Sequence, residues 1–236
     1  MRSEGRITRE NAYDLIKLFA KEYRKELGKA SGEIIFVGGG SIMLNYKFRD
    51  ATQDFDVILK TASGVKDVIA RFADEQGLPE DWMNSDFMKT ASYSAALSEV
   101  SRHYATLNNG TLEIRTVSGV YLIAMKLRAH RDYRNDISDA IGILIEERDA
   151  GNEITQENIK AAYQKLYKEA LPEAMSELME GICHMDLTEL KKEYQRRNDM
   201  EQEIGGKIIT YRDDGANINV GNVETVIERI KEKMKS

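Results

Sequence analysis

Apolar residues recur along this chain at two spacings, and the switches between them mark out its elements. Ala12, Leu15, Ile16, Phe19, Tyr23 and Leu27 keep helical spacing up to Gly28, which predicts an amphipathic helix that stops at that glycine. The run "EIIFV" that follows is short, continuous and apolar, as a buried strand requires, and three glycines break it. Ile42, Met43, Leu44 and Tyr46 suit a short helix. In "DFDVILK" the pattern alternates, so a strand would carry Phe55, Val57 and Leu59 on one face and Asp54, Asp56 and Ile58 on the other. Val65, Val68, Ile69 and Phe72 predict a helix capped by Ser63 and stopped by Gly77, followed by a loop over "LPEDWMN".

Two strands joined at Asn108-Asn109-Gly110 are expected next, because Asn and Gly tolerate the positive φ of a tight turn. Two helices then run from about Gly119 to His130 and from about Asp136 to Asp149, the second with Ile137, Ile141, Leu144 and Ile145 as its buried stripe. From Glu153 the composition shifts to charged helix formers, and "TQENIKAAYQKLYKEA", "LPEAMSELMEGICHM" and "LTELKKEYQRRNDMEQEIGG" read as three helices. The tail "KIITYRDDGANINV" predicts a small strand and turn around Asp213-Asp214-Gly215 before a final helix. The expectation is an α+β chain in two parts: strands and helices over residues 1–150, and a mainly helical C-terminal unit over 151–236.

Composition narrows the chemistry. Among 236 residues, 42% are hydrophobic and 31% charged, with no biased tract, as expected of a folded globular chain. No apolar run approaches the roughly 20 residues of a membrane helix, and "MRSEGRITREN" has no signal-peptide core, so no membrane partner and a cytoplasmic location are expected. One cysteine, Cys183, permits no internal disulfide, and His103, His130 and His184 lack close metal-ligand spacing, which argues against zinc. The net charge of -6 excludes nucleic-acid binding by overall cationic field and leaves room for a local basic patch.

The chemistry points to "FVGGGSIMLNYKFRDATQDFDVILK", residues 36–60. Carboxylates at i and i+2 of a strand share a face about 6–7 Å apart, where they repel by about 2.5 kcal/mol at an effective dielectric of 20. A cation between them relieves that cost, and magnesium is the natural choice. It takes one or two carboxylates and completes its shell with water and phosphate oxygens. A Gly-rich connection between strand and helix, with Ser41 in it, brings backbone N–H groups and the positive end of the helix dipole to an anion. Together they suggest phosphoryl or nucleotidyl transfer.

These residues resemble the DNA polymerase beta-type nucleotidyltransferase superfamily, in which a Gly-Gly or Gly-Ser turn precedes an Asp-x-Asp pair. Arg49, Thr52 and Asp54-Phe55-Asp56, with "DWMN" at 81–84 and "YLIAMKLRAHRDYRNDISDAIGIL" at 121–144, are similar to the branch of abortive-infection and type IV toxin-antitoxin nucleotidyltransferase toxins and their uncharacterised bacterial relatives. The likeness spans roughly residues 30–146. It implies a nucleotidyltransferase-fold mixed sheet flanked by helices, magnesium on Asp54 and Asp56, a nucleoside triphosphate held by Lys126 and the Gly38-Gly39-Gly40-Ser41 turn, with either Gly38-Gly39 or Gly40-Ser41 touching phosphate, and a further site aspartate matched by Asp136 or Asp139. Families of this fold commonly add a third carboxylate as base, for which Glu113 in "TLEIRTV" is the candidate.

Each residue also has a plainer role: an acidic strand end, a tight turn, a lysine snorkelling from an apolar helix, an aspartate at a helix start, Glu113 paired with Arg115 on its own face. Arg128, Arg131 and Arg134 read as a phosphate patch or as a solvated face. The expected activity is magnesium-dependent transfer of a nucleoside monophosphate to an acceptor hydroxyl, an RNA 3' end or a protein, with a possible toxin role and a cognate antitoxin as partner. The alternatives are a catalytically inactive nucleotidyltransferase-fold binding or antitoxin-like protein, and an enzyme whose acceptor is a small molecule resembling an aminoglycoside.

Overall fold

A computed structural model describes residues 7–131, 133–213, 218 and 222–235. Its centre is a five-stranded mixed sheet in the order β5-β4-β2-β7-β6, built from β2 (Gly32–Phe36), β4 (Phe55–Lys60), β5 (Met83–Asn84), β6 (Ser101–Leu107) and β7 (Leu112–Val117). β2 runs parallel to β7 and antiparallel to β4, while a separate two-residue pair joins β1 (Ile7–Thr8) to β3 (Ala51–Thr52). The central strand β2 is apolar on both faces because both are covered. Ile34 and Phe36 enter one core, with α1 (Arg9–Leu27) and α3 (Val65–Gln76), and Ile35 and Val37 point into the other.

The second core is the larger. It continues from the sheet through α5 (Gly119–Ala129) and α6 (Asp136–Asp149) to α7 (Gln156–Tyr167), α8 (Glu173–His184) and Leu190 of α9 (Leu187–Asp213). Short α2 (Gly38–Asn45) and α4 (Leu97–Val100) link strands, and α10 (Val223–Lys235) folds back on α9. The α+β expectation of a mixed sheet flanked by helices, followed by a helical C-terminal part, is met. Among the described residues no helix is long and apolar enough to cross a membrane.

Local signals explain most boundaries. Thr8 and Asn11 form a reciprocal capping box at the start of α1, and Gly28 and Gly77, at φ 64° in both cases, close α1 and α3. Asn108, Asn109 and Gly110 all take positive φ between β6 and β7, as expected of that turn. Three expectations are corrected. Gly64, not Ser63, precedes α3. The three glycines belong to α2 rather than to a loop before it. Lys207 to Tyr211 are helical, not extended, because Ile204 and Ile208 pack against Val223, Ile227 and Ile230 of α10, and this packing overrides the strand preference of "KIITY". The expected turn at Asp214-Gly215 lies outside the described residues.

Candidate active site

The end of β2 and the start of α2 set one wall of the site. Gly38 takes φ +52°, a left-handed backbone that favours glycine, and a Cβ on it would stand 3.4 Å from Asp56 Oδ2. At Gly39 a Cβ would lie 2.9 Å from Arg49 Nη2 and 3.2 Å from Thr52 Oγ1, so a side chain there would displace the guanidinium. Gly40 is a packing glycine, its missing Cβ replaced by the Phe55 ring. Ser41 is fully buried, and its hydroxyl accepts from Val117 N at 3.0 Å and donates to Val117 O at 3.3 Å. Gly38 and Gly39 line the cleft; Gly40 and Ser41 do not. Between the two pairs the sequence left open, only the first faces a ligand-sized space.

That space is a cleft of about 800 Å³, with Asp54 and Asp56 on one side and Arg49, Lys126, Arg131 and Arg134 also lining it. Strand alternation turns Phe55 and Val57 into the core and leaves both aspartates facing out. Asn84, opposite Asp56 in the β4–β5 register, donates from Nδ2 to Asp54 Oδ2 at 3.0 Å and fixes that carboxylate. Burial, then the charge of Asp54, push the Asp56 carboxyl up to about 6 even though Arg131 and Lys126 pull the other way. The repulsion expected from the Asp-x-Asp spacing is therefore present and only partly offset by Arg131 and Lys126, with no direct ion pair to either aspartate among the described residues. Among the described residues no three or more His, Cys, Asp or Glu side chains converge into a metal cage.

The cations of the cleft are organised by α6. Asp136 is completely buried and accepts from Lys126 Nζ at 3.0 Å, from the Arg131 backbone N at 2.9 Å and from Arg131 Nε at 3.0 Å. Burial alone would raise its pKa, but Lys126 and Arg131 override that and hold the carboxyl well below the usual range. One turn on, Asp139 bonds Lys126 Nζ at 2.8 Å and Arg49 Nη1 at 2.5 Å. Burial opposes the Lys126 charge too, yet Asp139 and Asp136 raise its pKa above the ordinary value. The result is a continuous chain, Arg49–Asp139–Lys126–Asp136–Arg131, whose three cations line the cleft while both carboxylates stand behind them.

The structure thus brings Asp54, Asp56, Gly38, Gly39 and Lys126 together around the cleft, with Asp136 and Asp139 directly behind Lys126. It does not bring Glu113. That residue pairs with Glu33, which also pairs with Lys60, whereas Val37 bonds Asp56 across the sheet, so Glu113 sits four positions toward the far end of the strands. There it accepts from Arg115 Nη1 at 2.7 Å, and Arg115 draws its carboxyl below the usual range. As a base in the cleft, Glu113 is corrected to one half of a surface ion pair.

The structure divides one expected patch and adds two residues, Asp86 and Glu201, that the sequence did not single out. The set Arg128, Arg131 and Arg134 splits: Arg131 and Arg134 line the cleft, while Arg128 turns away to Tyr163 and Glu169. Asp86 also lines the cleft, its backbone N held by Asn84 Oδ1. Glu201 of α9 accepts from Ile137 N at 2.9 Å and Ser138 N at 3.3 Å, capping α6 from 64 residues away. No local signal announces a cap supplied at that distance.

Against known proteins, residues 14–195 match the family model described as "Nucleotidyltransferase of unknown function (DUF6036)". No curated protein and no solved structure matches the chain.

Proposed function

The chain belongs to that nucleotidyltransferase family, and we propose that it transfers a nucleoside monophosphate from a nucleoside triphosphate to an acceptor hydroxyl with the help of magnesium. The observation that carries this reading is the cleft itself: a carboxylate pair with no direct ion pair among the described residues shares a space of about 800 Å³ with Arg49, Lys126, Arg131 and Arg134.

Asp54 and Asp56 fit magnesium. They are two adjacent carboxylates, one with its pKa raised by burial and by the other, and Gly38 leaves no Cβ over the Asp56 oxygen. Bound there, the ion would neutralise charge on phosphate oxygens. The chain's own residues supply the rest. Lys126 and the N-terminal amides of α2 hold the triphosphate, and Asp136 and Asp139 fix Lys126 so that little reorganisation is needed when substrate enters. The acceptor oxygen bonds to the α-phosphorus in line, the bond from that phosphorus to the β-phosphate bridging oxygen breaks, and pyrophosphate leaves. With Glu113 elsewhere, the acceptor proton passes to a carboxylate of the cleft.

An RNA 3' end is the acceptor best supported, because Arg134 lines the cleft stacked over Tyr133 with no carboxylate partner among the described residues. A protein hydroxyl remains the second acceptor class. A toxin role would follow if the modified RNA or protein is essential to growth.

The test is incorporation of each of four labelled nucleoside triphosphates, with magnesium, into total RNA and into protein by wild type and Asp56→Asn. Label transferred by wild type and lost in the variant is expected. No transfer by folded wild type to RNA, protein or a small cationic acceptor would sink the proposal.

A further inference from the structure

Arg49 reaches the cleft from the connection between α2 and β3, which is bolted to α6. The backbone N–H groups of Lys47 and Phe48 both donate to Glu146 Oε1 at 2.7 Å, Tyr46 Oη donates to Glu147 Oε1 at 2.5 Å, and the Phe48 ring fills the space left by Gly142. The guanidinium is therefore delivered to a fixed place before any ligand arrives. It lies beside the first turn of α2, in the gap kept open by Gly39.

Its hydrogen bonding is incomplete. A guanidinium has five N–H donors. Among the described residues one bond, from Nη1 to Asp139, satisfies this one, and the buried Nε has no partner. Neutralising Asp139 does not require it, since Lys126 is already 2.8 Å from that carboxylate. A planar fork left open beside helix amides, in a cleft shared with Lys126, matches the bidentate geometry of a phosphate group.

From this, and resting on the nucleotidyltransferase reading, we infer that Arg49 is a phosphate-binding residue that forms with Lys126 and Arg131 a three-cation track, so that the site selects nucleoside triphosphates over monophosphates. Arg49 marks the end of the track at α2, Lys126 its middle, and Arg131 the end at the α5–α6 connection. Gly39 is a positioning residue, because any Cβ there would push the guanidinium off this line.

The experiment is equilibrium dialysis of each of the four nucleoside triphosphates and the matching monophosphates, with magnesium, against wild type, Arg49→Lys, Arg49→Ala and Gly39→Ala, each checked by thermal melting. Arg49→Lys retains a charge for Asp139 and loses the fork. It should weaken the bound triphosphate by about tenfold or more and the monophosphate by less than about twofold. Gly39→Ala should shift the triphosphate in the same direction. Should Arg49→Ala melt early, Arg49→Lys decides. Triphosphate binding within about twofold of wild type in folded Arg49→Lys, or equal losses for both ligands, overturns the role of Arg49 and leaves the nucleotidyltransferase reading standing. Wild type that binds no triphosphate overturns both.

Discussion

Two aspartate pairs of similar composition lie in and behind this cleft in opposite electrostatic states. Asp54 and Asp56, two apart at the start of β4, line the cleft, and the half-buried Asp56 is pushed up to about 6. Asp136 and Asp139, three apart on a helix, are almost wholly buried and share three cations, with Asp136 held well below the usual range. Burial disfavours a carboxylate in both places, so it does not separate them. The separation comes from how the countercharge is supplied: direct ion pairs for the helical pair, and for the strand pair only the longer-range pull of Arg131 and Lys126, with no ion pair among the described residues. A pair met by the protein holds its neighbours in place, and a pair left unmet is available to a ligand.

The two pairs should respond to the same substitution in opposite ways. Asp56→Asn should lower nucleotidyl transfer by about a thousandfold or more, while the metal-free melting temperature holds or rises because a burial-penalised charge is gone. A large loss of stability in that variant would erase the contrast. Asp136→Asn should do the reverse and destabilise the fold by about 3–5 kcal/mol in urea titrations, since Arg131 loses its carboxylate and the buried Lys126 keeps only Asp139. A loss under about 1 kcal/mol would mean the buried network is not structural.

Glu201 sharpens the contrast as an intermediate case, buried and hydrogen-bonded by two amides with no cation partner among the described residues. Burial raises its carboxyl from 4.5 to about 7. The folded chain thus keeps a proton that the unfolded chain releases, and this contribution to stability is full below about 4.5 and is lost as pH rises through about 7. Glu201→Gln keeps an acceptor and removes the titration. The unfolding free energy of wild type relative to this variant should fall by on the order of 2 kcal/mol between pH 5 and pH 8. A constant difference would place the carboxylate in its ionised state throughout.

The smallest effect belongs to Glu113. Its bond to Arg115 is half-exposed, so Glu113→Gln should cost less than about 1 kcal/mol and leave nucleotidyl transfer unchanged. A large fall in kcat at unchanged stability would return it to the reaction.

Much of this site could be read from residue order because its signals are local. Asp54 and Asp56 announce themselves through alternation with Phe55 and Val57, and Gly38 and Gly39 through the broken strand before them. Lys126 stood out as a charge in an apolar helix. Ser41 and Glu113 were misplaced for one reason: each is defined by what lies across the sheet, Val117 in one case and Glu33 with Arg115 in the other. Arg49 showed only as part of a motif, and its approach to Gly39 and Asp139 spans 10 and 90 positions of chain respectively. The tail was misread because "KIITY" prefers a strand by composition and is made helical by contact with α10.

By itself, then, the sequence determined the periodic elements, the covered sheet, and the placing of an acidic pair one strand after a glycine-rich helix start. Side-chain direction along a strand or helix follows from the 2.0 and 3.6 residue periods, which need no partner. Tertiary structure alone decided which charges are met and which are left open. Strand register put Glu113 four positions from the cleft, and packing of α9 on α6 supplied the Glu201 cap. The convergence of the α2–β3 connection, α5 and α6 placed Arg49 and Lys126 on one aspartate. Countercharge is a matter of distance in space, and a period along the chain carries no information about it.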